Sequence, residues 1–401
     1  MYPSVSQRKG AFMDFSIKRK TTLATRQAIV WENITFFAVT TVLGLIGAPI
    51  YIYYHGISLA DICLFSFFSF ATGLGITVGY HRLFAHASYK ASPFFRFLCL
   101  FFGAAAFEQP ALDWASQHRD HHRYVDTDLD PYNIKKGFFY AHMGWLMFWR
   151  HKVNFDNVKD LQKSRLLMNQ YRYYIYWAVG AGILLPVLIG SLWGNPWGAF
   201  LISVCARITF VYHATFCINS VCHMFGKATY DIYSTAKDHW LAALITNGEG
   251  YHNFHHRFPS DYRNGVRWYQ WDPSKWIIAL ASAIGLTQDL KRVSKFRIIE
   301  ARIAAEHQRA QDWLKTLEAH PHFANMYDTL KIQYDKVRQT LVDWEGQVKG
   351  YQTVVCETIT RQSGEIRHNA FKQMRAAKKI FRDTRRQWQS LHLRILATVP
   401  S

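Results

Sequence analysis

Eight of the 19 histidines fall into three short motifs whose spacing suits metal binding. On an α-helix, residues i, i+3 and i+4 lie within about 100° of one another. The motifs HRDHH and HNFHH therefore each place three imidazoles on one helix face, which is a chelating arrangement. The eight residues are His81 and His86 (HRLFAH), His118, His121 and His122 (HRDHH), and His252, His255 and His256 (HNFHH).

The first of these motifs has a different spacing from the other two. His81 and His86 are five residues apart, about 140° around an α-helix, so we expect them to point in different directions. They then serve two different metals, or the helix ends between them. His223 is a ninth candidate, and it shares a helix face with Asn219 at i, i+4.

Nine imidazoles are more than one metal ion binds, since zinc is satisfied by four ligands. Two metal ions with four or five ligands each, and with open positions, fit the number. Imidazole suits iron, zinc, copper and nickel, so the ligand type alone does not identify the metal. The other ten histidines are not clustered, and we expect structural or surface roles for them.

Four apolar stretches, about 31–54, 57–80, 173–193 and 198–219, reach the roughly 20 residues that a membrane-crossing helix needs. Arg207 lies within the fourth, so it should face protein or snorkel to the surface. The short turns inside each pair carry no Lys or Arg, whereas the amino-terminal segment, the middle loop and the tail are basic. Positive residues mark the cytosolic side. Both termini and all three histidine motifs are therefore predicted to be cytosolic.

The pattern divides the chain into a basic segment over 1–30, a membrane domain over 31–290, and a basic helical extension over 291–401. The extension holds 21 Lys and Arg against 11 Asp and Glu. It is interpreted as a solvated helical cap, or as a docking surface for anionic lipid or an acidic electron carrier. The net charge of +19 is not accompanied by a nucleic-acid recognition motif, so no nucleic-acid partner is predicted.

Four segments of the chain resemble the membrane acyl-CoA desaturases of the delta-9 type. They are Gly79-Tyr80-HRLFAH, Gln117-HRDHHRYVDTDLDPYN, GFFYAHMGW from Gly137 to Trp145, and NGEGYHNFHHRFPSDY from Asn247 to Tyr262. The Asn219-x-x-x-His223 pair also matches that family. The resemblance extends over about 31–293.

The resemblance implies an all-α integral membrane enzyme with four transmembrane helices and a helical cytosolic cap that holds a histidine-ligated di-iron site. The nine histidines would bind two iron ions, and Asn219 would hold a water on one of them. The family inserts a cis double bond into a saturated fatty acyl chain, using dioxygen and two electrons. Iron is preferred over zinc because removing hydrogen from an unactivated methylene requires a redox metal that activates dioxygen.

Candidate substrate contacts follow from that chemistry. A bent apolar tunnel would fix which methylene is presented, and Trp114, one helical turn before His118, is a candidate wall. Phe65 and Ser69, on one face of the second apolar stretch, are candidates to close the tunnel and limit chain length. An acyl thioester carrier is anionic, so basic side chains near the motifs are candidates to grip its phosphates. These are Arg82, Arg119, Arg123, Lys135, Lys136, Arg150, Lys152 and Arg263.

Carboxylates near the motifs are expected to accept hydrogen bonds from the ligand imidazoles. The candidates are Asp120, Asp126, Asp130 and Glu249. Glu249 also forms a Glu-x-x-His pattern with His252. A second such pattern, Glu365 with His368, lies in the tail without partners and is attributed to chance.

The expected partners are an acyl-CoA or other acyl thioester, membrane lipid and a separate electron donor. The HPGG signature of a fused haem-binding donor does not occur in the sequence, so a ferredoxin or cytochrome with its reductase is expected. The first 30 residues contain no apolar core for a removable signal peptide. A bacterial inner membrane is favoured over the endoplasmic reticulum.

Two other functions fit part of the pattern. A membrane lipid hydroxylase or alkane monooxygenase shares the three-motif layout, and residue chemistry alone does not separate oxygen insertion from dehydrogenation. The close matches around HRDHH and NGEGYHNFHH favour the desaturase. A histidine-rich metal transporter would place its ligands near mid-membrane, whereas these motifs lie beyond the ends of the apolar stretches.

Overall fold

The computed structural model describes residues 29–148, 153–317, 324–357 and 363–398. Within these ranges the chain is almost wholly helical, with one antiparallel pair of two-residue strands. The predicted all-α architecture is therefore confirmed.

Four helices are long and apolar enough to cross a membrane, as predicted. They are span 1 (Trp31–His55), span 2 (Leu59–Ala85), span 3 (Tyr174–Ser191) and span 4 (Pro196–Met224). Gly56, with a φ of +75°, and a capping box between Ser58 and Asp61 turn the chain from span 1 into span 2. The turn between spans 3 and 4 is equally short, and short connections of this kind join antiparallel helices.

Shorter helices between spans 2 and 3 and after span 4 form a cap. Two 3-10 turns (Ile134–Lys136 and Phe155–Val158) and one π-type turn (Tyr140–Gly144) connect some of them. The cap helices are α1 (Pro93–Ala104), α2 (Ala111–Tyr124), α3 (Trp145–Phe148), α4 (Lys159–Gln162), α5 (Arg165–Arg172), α6 (Trp240–Ile245), α7 (His252–Arg257) and α8 (Pro273–Ala283).

π-type turns interrupt each of the four spans. Hydrogen bonds from i to i+5 widen a helix and often occur at functional sites. The longest of these segments, Gly75–Ala85, ends span 2, and there a Cβ on Gly79 would lie only 2.6 Å from the Cβ of Cys99 in α1. The other π-type segments are Leu43–Gly47, Gly180–Leu184 and Ala199–Ala206.

Spans 2 and 4 continue five residues beyond their predicted ends at Tyr80 and Asn219. The apolar pattern stops at these points because His81, Arg82 and His223 are polar. All three side chains are buried in the protein. The helices therefore continue where hydropathy predicts that they end.

The strand pair fastens the cap close to the end of span 2. β1 (Lys90–Ala91) pairs with β2 (Thr287–Gln288), and the Lys291 N–H donates to the Ser88 carbonyl over 2.9 Å. Lys291, where the chain leaves the cap, is therefore held beside Ser88, which follows the last residue of span 2 by three residues.

The last three helices form a bundle. They are α9 (Lys295–Lys315), α10 (Ala324–Glu357) and α11 (Ser363–Leu396). The buried carboxylate of Glu306 in α9 accepts from Arg385 over 2.6 Å and from Trp388 over 2.7 Å, which fixes α11 against α9. Ala301 of α9 packs with Phe254 and Phe258 at α7, so the bundle rests on a helix that carries three of the clustered histidines.

Arg207 faces protein, one of the two arrangements expected for a charge within span 4. Its side chain is fully buried and donates to the carbonyl oxygens of Ser203, Ala105 and Gly182. These contacts tie span 4 to span 3 and to the segment between α1 and α2.

Candidate metal centre

Nine histidines from four separate parts of the chain converge where spans 2 and 4 enter the cap. They come from the end of span 2, from α2, from the end of span 4 and from α7. They form two groups, and within each group one ring nitrogen per histidine lies within 4.8 Å of all the others. The first group is His81, His86, His118, His122 and His255; the second is His121, His223, His252 and His256.

Each HxxHH motif is divided between the two groups. In α2, His118 and His122 belong to the first group and His121 to the second. In α7 the division is reversed, since His255 joins the first group while His252 and His256 join the second. The spacing of each motif predicts one chelating face. That expectation is corrected, because the two helices lie against each other and each supplies both groups.

His81 and His86 point to the same place, contrary to the expectation from α-helical geometry. The N–H of His86 donates to the carbonyl of His81 over 3.0 Å, an i to i+5 contact at the end of the π-type segment. Their ring centroids are 4.9 Å apart. The helix does end between them, at Ala85. The wider turn brings residues five apart onto one side.

The ring nitrogens at the centre of the groups face one another in a way that hydrogen bonding alone does not satisfy. His255 Nε2 lies 3.0 Å from His81 Nε2 and 2.9 Å from His122 Nε2. A neutral imidazole has one N–H, and Glu249, whose Oε2 is 3.0 Å from His81 Nδ1, holds the proton of His81 on the outer nitrogen. Lone pairs therefore meet at the centre, and the donor set fits metal cations.

The outer nitrogens of four clustered histidines contact protein groups that orient the rings. His121 Nδ1 lies 2.8 Å from Asp130 Oδ1, and His223 Nδ1 lies 2.7 Å from the hydroxyl of Thr235. With His81 on Glu249 and His118 Nδ1 3.5 Å from the Tyr132 hydroxyl, these contacts have the form usual around metal-bound histidine.

Two of the four carboxylates predicted to orient histidines do so directly. Asp126 contacts a histidine only through Thr235: it accepts from the Thr235 hydroxyl over 2.6 Å, and that hydroxyl contacts His223. Asp120 accepts from the side chain of Asn157 and does not contact the histidines. Thr235 and Tyr132 were missed in the sequence, since a hydroxyl residue in a loop carries no spacing signal.

Burial favours the neutral form of six of the clustered imidazoles. Removal from water, and then repulsion from neighbouring imidazoles, lowers the pKa of six of them well below the usual 6.5. Neutral imidazole is the form that binds a metal. The six are His86, His118, His122, His252, His255 and His256.

Arg82 is buried and pairs with carboxylates inside the protein, so the prediction that it contacts substrate is corrected. The side chain is 1% exposed, with Nη2 2.9 Å from Glu249 and Nη1 3.0 Å from Asp272. Burial alone would raise the pKa of Glu249, but His81 and Arg82 lower it on balance. A fully enclosed guanidinium does not reach a ligand, and Arg82 instead holds the carboxylate that orients His81.

The other predicted basic contacts differ in availability. Arg119 is committed to Asp160 and to the carbonyls of Phe84 and Ala85, which ties α2 to the end of span 2. Arg263 is paired with Asp261 over 2.8 Å. The exposed candidates are Arg123, Lys135 and Lys136, while Arg150 and Lys152, like the basic segment over 1–28, lie outside the described residues.

A cavity of about 520 Å³ begins at the histidines and extends among all four spans. Its size lies within the roughly 300–1,000 Å³ range of ligand pockets. His81, His118 and His252 line one end, and aromatic and aliphatic side chains of the spans line the rest. A predominantly apolar cavity that includes clustered imidazoles in its lining suits a hydrocarbon chain.

The predicted wall residues lie on or beside this cavity. Trp114 lines it and stacks on His118, with ring centroids 4.8 Å apart. Ser69 and Asn219 also line it. Phe65 packs behind the wall, 6.3 Å from the ring of the lining residue Phe210.

Glu108 is a cavity residue that the sequence analysis missed. Its carboxylate accepts from the hydroxyl of Thr215 over 2.7 Å and from Trp114 Nε1 over 3.3 Å. Burial raises the pKa of Glu108 to about 7 despite these hydrogen bonds. The one sequence signal was an acidic residue at the end of an apolar run.

Comparison with known proteins is consistent with this geometry. The family model described as fatty acid desaturase matches residues 58–280. A probable acyl-CoA desaturase of Schizosaccharomyces pombe is 40% identical over 264 residues, 65% of this chain and 55% of that protein. Acyl-CoA desaturase 1 of Saccharomyces cerevisiae is 41% identical over 254 residues, 62% of this chain and 50% of that protein.

A human stearoyl-CoA desaturase is 33% identical over 309 residues, which cover 74% of this chain and 83% of the human protein. The chain thus spans about half the length of the two yeast relatives and most of the human one. The residues that the family model matches contain both imidazole groups and spans 2, 3 and 4. The chain belongs to the fatty acid desaturase family.

Proposed function

We propose that this protein is an acyl-CoA desaturase that introduces a cis double bond, at the delta-9 position, into a saturated fatty acyl chain with dioxygen and two electrons. The observation that carries the proposal is the pair of imidazole groups at one end of an apolar cavity, with His81, His118 and His252 on the cavity wall. The names of the relatives, acyl-CoA and stearoyl-CoA desaturase, support this substrate class.

Two iron ions are proposed as the resident metals. The first group of five histidines would hold one ion and the second group of four the other, with Asn219 holding a water on one of them. Bound iron supplies the activation of dioxygen that removal of hydrogen from a methylene requires. The protein keeps six of the imidazoles neutral by burial. Glu249 and Asp130 orient His81 and His121 through contacts with their outer nitrogens.

The cavity is proposed to position the acyl chain. Trp114, stacked on His118, separates the hydrocarbon from the ring edges of the ligands and excludes water from that side. Ser69 stands on the cavity wall within span 2 and is proposed to limit chain length, with Phe65 supporting the wall through Phe210. The exposed Arg123, Lys135 and Lys136 are proposed to contact the phosphates of the carrier.

The orientation and the electron source are also proposals. The basic segments outside the spans favour a cytosolic cap and cytosolic termini, in a bacterial inner membrane or, in a eukaryotic host, the endoplasmic reticulum. Electrons are proposed to come from a separate ferredoxin or cytochrome with its reductase. Acyl-CoA is the proposed carrier.

The alternatives differ from the desaturase in what the site must do. A hydroxylase or monooxygenase would use the same imidazoles and would yield an oxygenated product. A metal transporter needs ligands along a path through the membrane. Here the first group combines the end of span 2 with cap helices α2 and α7, and the second group combines the end of span 4 with the same two helices.

Expression in a desaturase-deficient host, followed by fatty-acid profiling, tests the proposal. The wild-type chain should produce a cis-9 monoene. The variant His255→Ala should produce none, because His255 Nε2 contacts two other imidazoles of the first group. The matched control His213→Ala, a histidine outside both groups, should retain product. A hydroxy acid in the profile would instead favour the hydroxylase, and an unchanged profile would contradict both.

A further inference from the structure

The two long helices of the C-terminal bundle differ sharply in charge although their lengths are equal. Both α10 and α11 have 34 residues. Within these bounds α10 holds 4 Lys and Arg against 5 Asp and Glu, whereas α11 holds 9 against 2. A surface that served solubility alone would not require this segregation of charge. The concentration of positive charge on α11 therefore indicates a surface that binds something negatively charged.

The exposed cations of α11 form a straight row. Lys372, Arg375, Lys379, Arg382 and Arg386, here called the cation row, follow one another at intervals of three and four residues, and all five are exposed. The row is about 21 Å long at 1.5 Å per residue.

The cation row faces away from the core of the bundle. Lys379 and Arg386 each stand two residues before a buried core position, Phe381 and Trp388. Two residues correspond to about 200° around an α-helix. The apolar face of α11 is thus used inside the bundle, and the row is left on the outer face. The one ion pair that the row makes among the described residues joins Arg386 to Asp383 over 3.7 Å.

About two fifths of the α10–α11 hairpin extends beyond the start of α9. The ring of Trp344 in α10 lies 4.9 Å from Phe296 at the beginning of α9 and 5.3 Å from Phe381 in α11. Farther along, Tyr351 of α10 meets Phe371 of α11 at 5.6 Å, so the two helices are antiparallel. The overhang consists of residues 345–357 and 363–377, about 20 Å of each helix.

The base of the bundle lies close to the cap end of span 2. Helix α9 starts four residues after Lys291, whose N–H is bonded to Ser88, and Ser88 follows the end of span 2 by three residues. The start of α9, beside which the overhang begins, is therefore held near the end of span 2. Exposed Ile366 and Phe371 accompany the cations on this part of α11.

We propose that the overhang of the α10–α11 hairpin rests on the bilayer and that the cation row binds anionic lipid headgroups. Clusters of basic residues on an amphipathic helix beside a membrane domain attract the anionic leaflet. A flat charged surface matches a straight row of cations. An electron carrier fits less well, because the row faces away from α9 and hence from the histidines of α7.

The full-length protein, with Cys63→Ser and Cys217→Ser, is reconstituted into nanodiscs of phosphatidylcholine alone or with phosphatidylserine. A fluorophore on the exposed native Cys356, which lies in the overhang, reports contact through quenching by nitroxide-headgroup lipids. Quenching should be strong with phosphatidylserine, weak without it, and reversed by high salt. Equal quenching in both lipid compositions, or no quenching in either, overturns the proposal. A hairpin that binds an acidic protein instead of lipid should show no quenching in either composition.

Charge-reversed variants identify the residues responsible. Lys372→Glu with Lys379→Glu should lower the bound-to-free ratio of the hairpin by at least about thirtyfold, the contribution of two surface cations. Lys372→Arg with Lys379→Arg should preserve it. The matched control Lys331→Glu with Lys336→Glu changes two exposed lysines of α10 and should leave quenching unaltered. An equal loss in the control, or no loss in the row variant, contradicts the proposal. The proposal does not depend on the reaction proposed above.

Discussion

Four rings of the cluster, those of His81, His118, His121 and His223, have one nitrogen turned toward their neighbours and one in contact with a protein group. For His121 the outer nitrogen faces Asp130, which is almost fully buried. Burial raises the pKa of Asp130, yet the contact with His121 and two backbone N–H groups lower it on balance. The carboxylate therefore stays ionised and fixes which nitrogen of His121 carries the proton.

Asp130→Asn should weaken metal binding by about ten- to a hundredfold, the usual effect of losing a carboxylate behind a metal-bound histidine. An amide does not hold the proton of His121 as firmly as a carboxylate does. Metal content after dialysis against graded chelator measures the change. Asp120→Asn is the matched control, since Asp120 contacts Asn157 and not the cluster. Similar losses in both variants would assign Asp130 a structural role only.

For single residues, the sequence predicted which histidines meet but not which of the two imidazole groups each one joins. Motif spacing brought out all nine members. The assignment of His121 to one group and His122 to the other depends on how α2 and α7 cross, which spacing within one helix does not specify. Arg82 was placed wrongly because an arginine beside a histidine motif appears free in sequence, while its burial against Glu249 and Asp272 is a tertiary property.

Among the elements, the end of span 2 does most to build the centre. Its π-type segment Gly75–Ala85 turns His81 and His86 to one side and packs closely on α1. A Cβ on Gly75 would lie 2.6 Å from the carbonyl carbon of Phe102 and closer still to Gly103 N. Backbone atoms there have no room to yield.

Gly75→Ala should therefore destabilise the protein by about 1–3 kcal/mol through overpacking and reduce metal content by displacing His81. Gly180→Ala in span 3 is the control, because a Cβ there meets nothing within 4 Å. That change should be neutral or stabilising by about 0.4–1 kcal/mol. Thermal unfolding in detergent measures both. A Gly75 variant as stable as the Gly180 variant would refute the close packing.

At this scale hydropathy predicted the number of spans and missed their ends. Apolar length is a property of local sequence, so four spans were found. Polar residues such as His81 and Arg82 mark the end of a hydropathy signal, but here the helix continues because buried partners replace water around them. The π-type turn has no reliable sequence signature, which is why the direction of His86 was predicted wrongly.

For the whole molecule, the clustered histidines make the metal-free fold sensitive to acid. The pKa values of six of them are lowered in the folded state from the usual 6.5. Below about pH 6.5 the unfolded chain binds more protons than the folded one, so stability is lost as the pH falls. Bound metal opposes this loss because it binds the neutral form.

The unfolding midpoint of the metal-free protein should fall between neutral pH and about pH 5, and iron-loaded protein should fall less over the same range. Differential scanning fluorimetry on both forms checks this. Coincident pH profiles for the two forms would mean that the histidines do not bind metal in the folded protein.

The presence of two imidazole groups predicts that one chain holds two iron ions, and the proposed function depends on this. Elemental analysis of protein purified from iron-supplemented cells measures it directly. We predict two irons per chain, with metal lost in His255→Ala and retained in His213→Ala. One zinc per chain and no iron in catalytically active protein would contradict the proposed di-iron site.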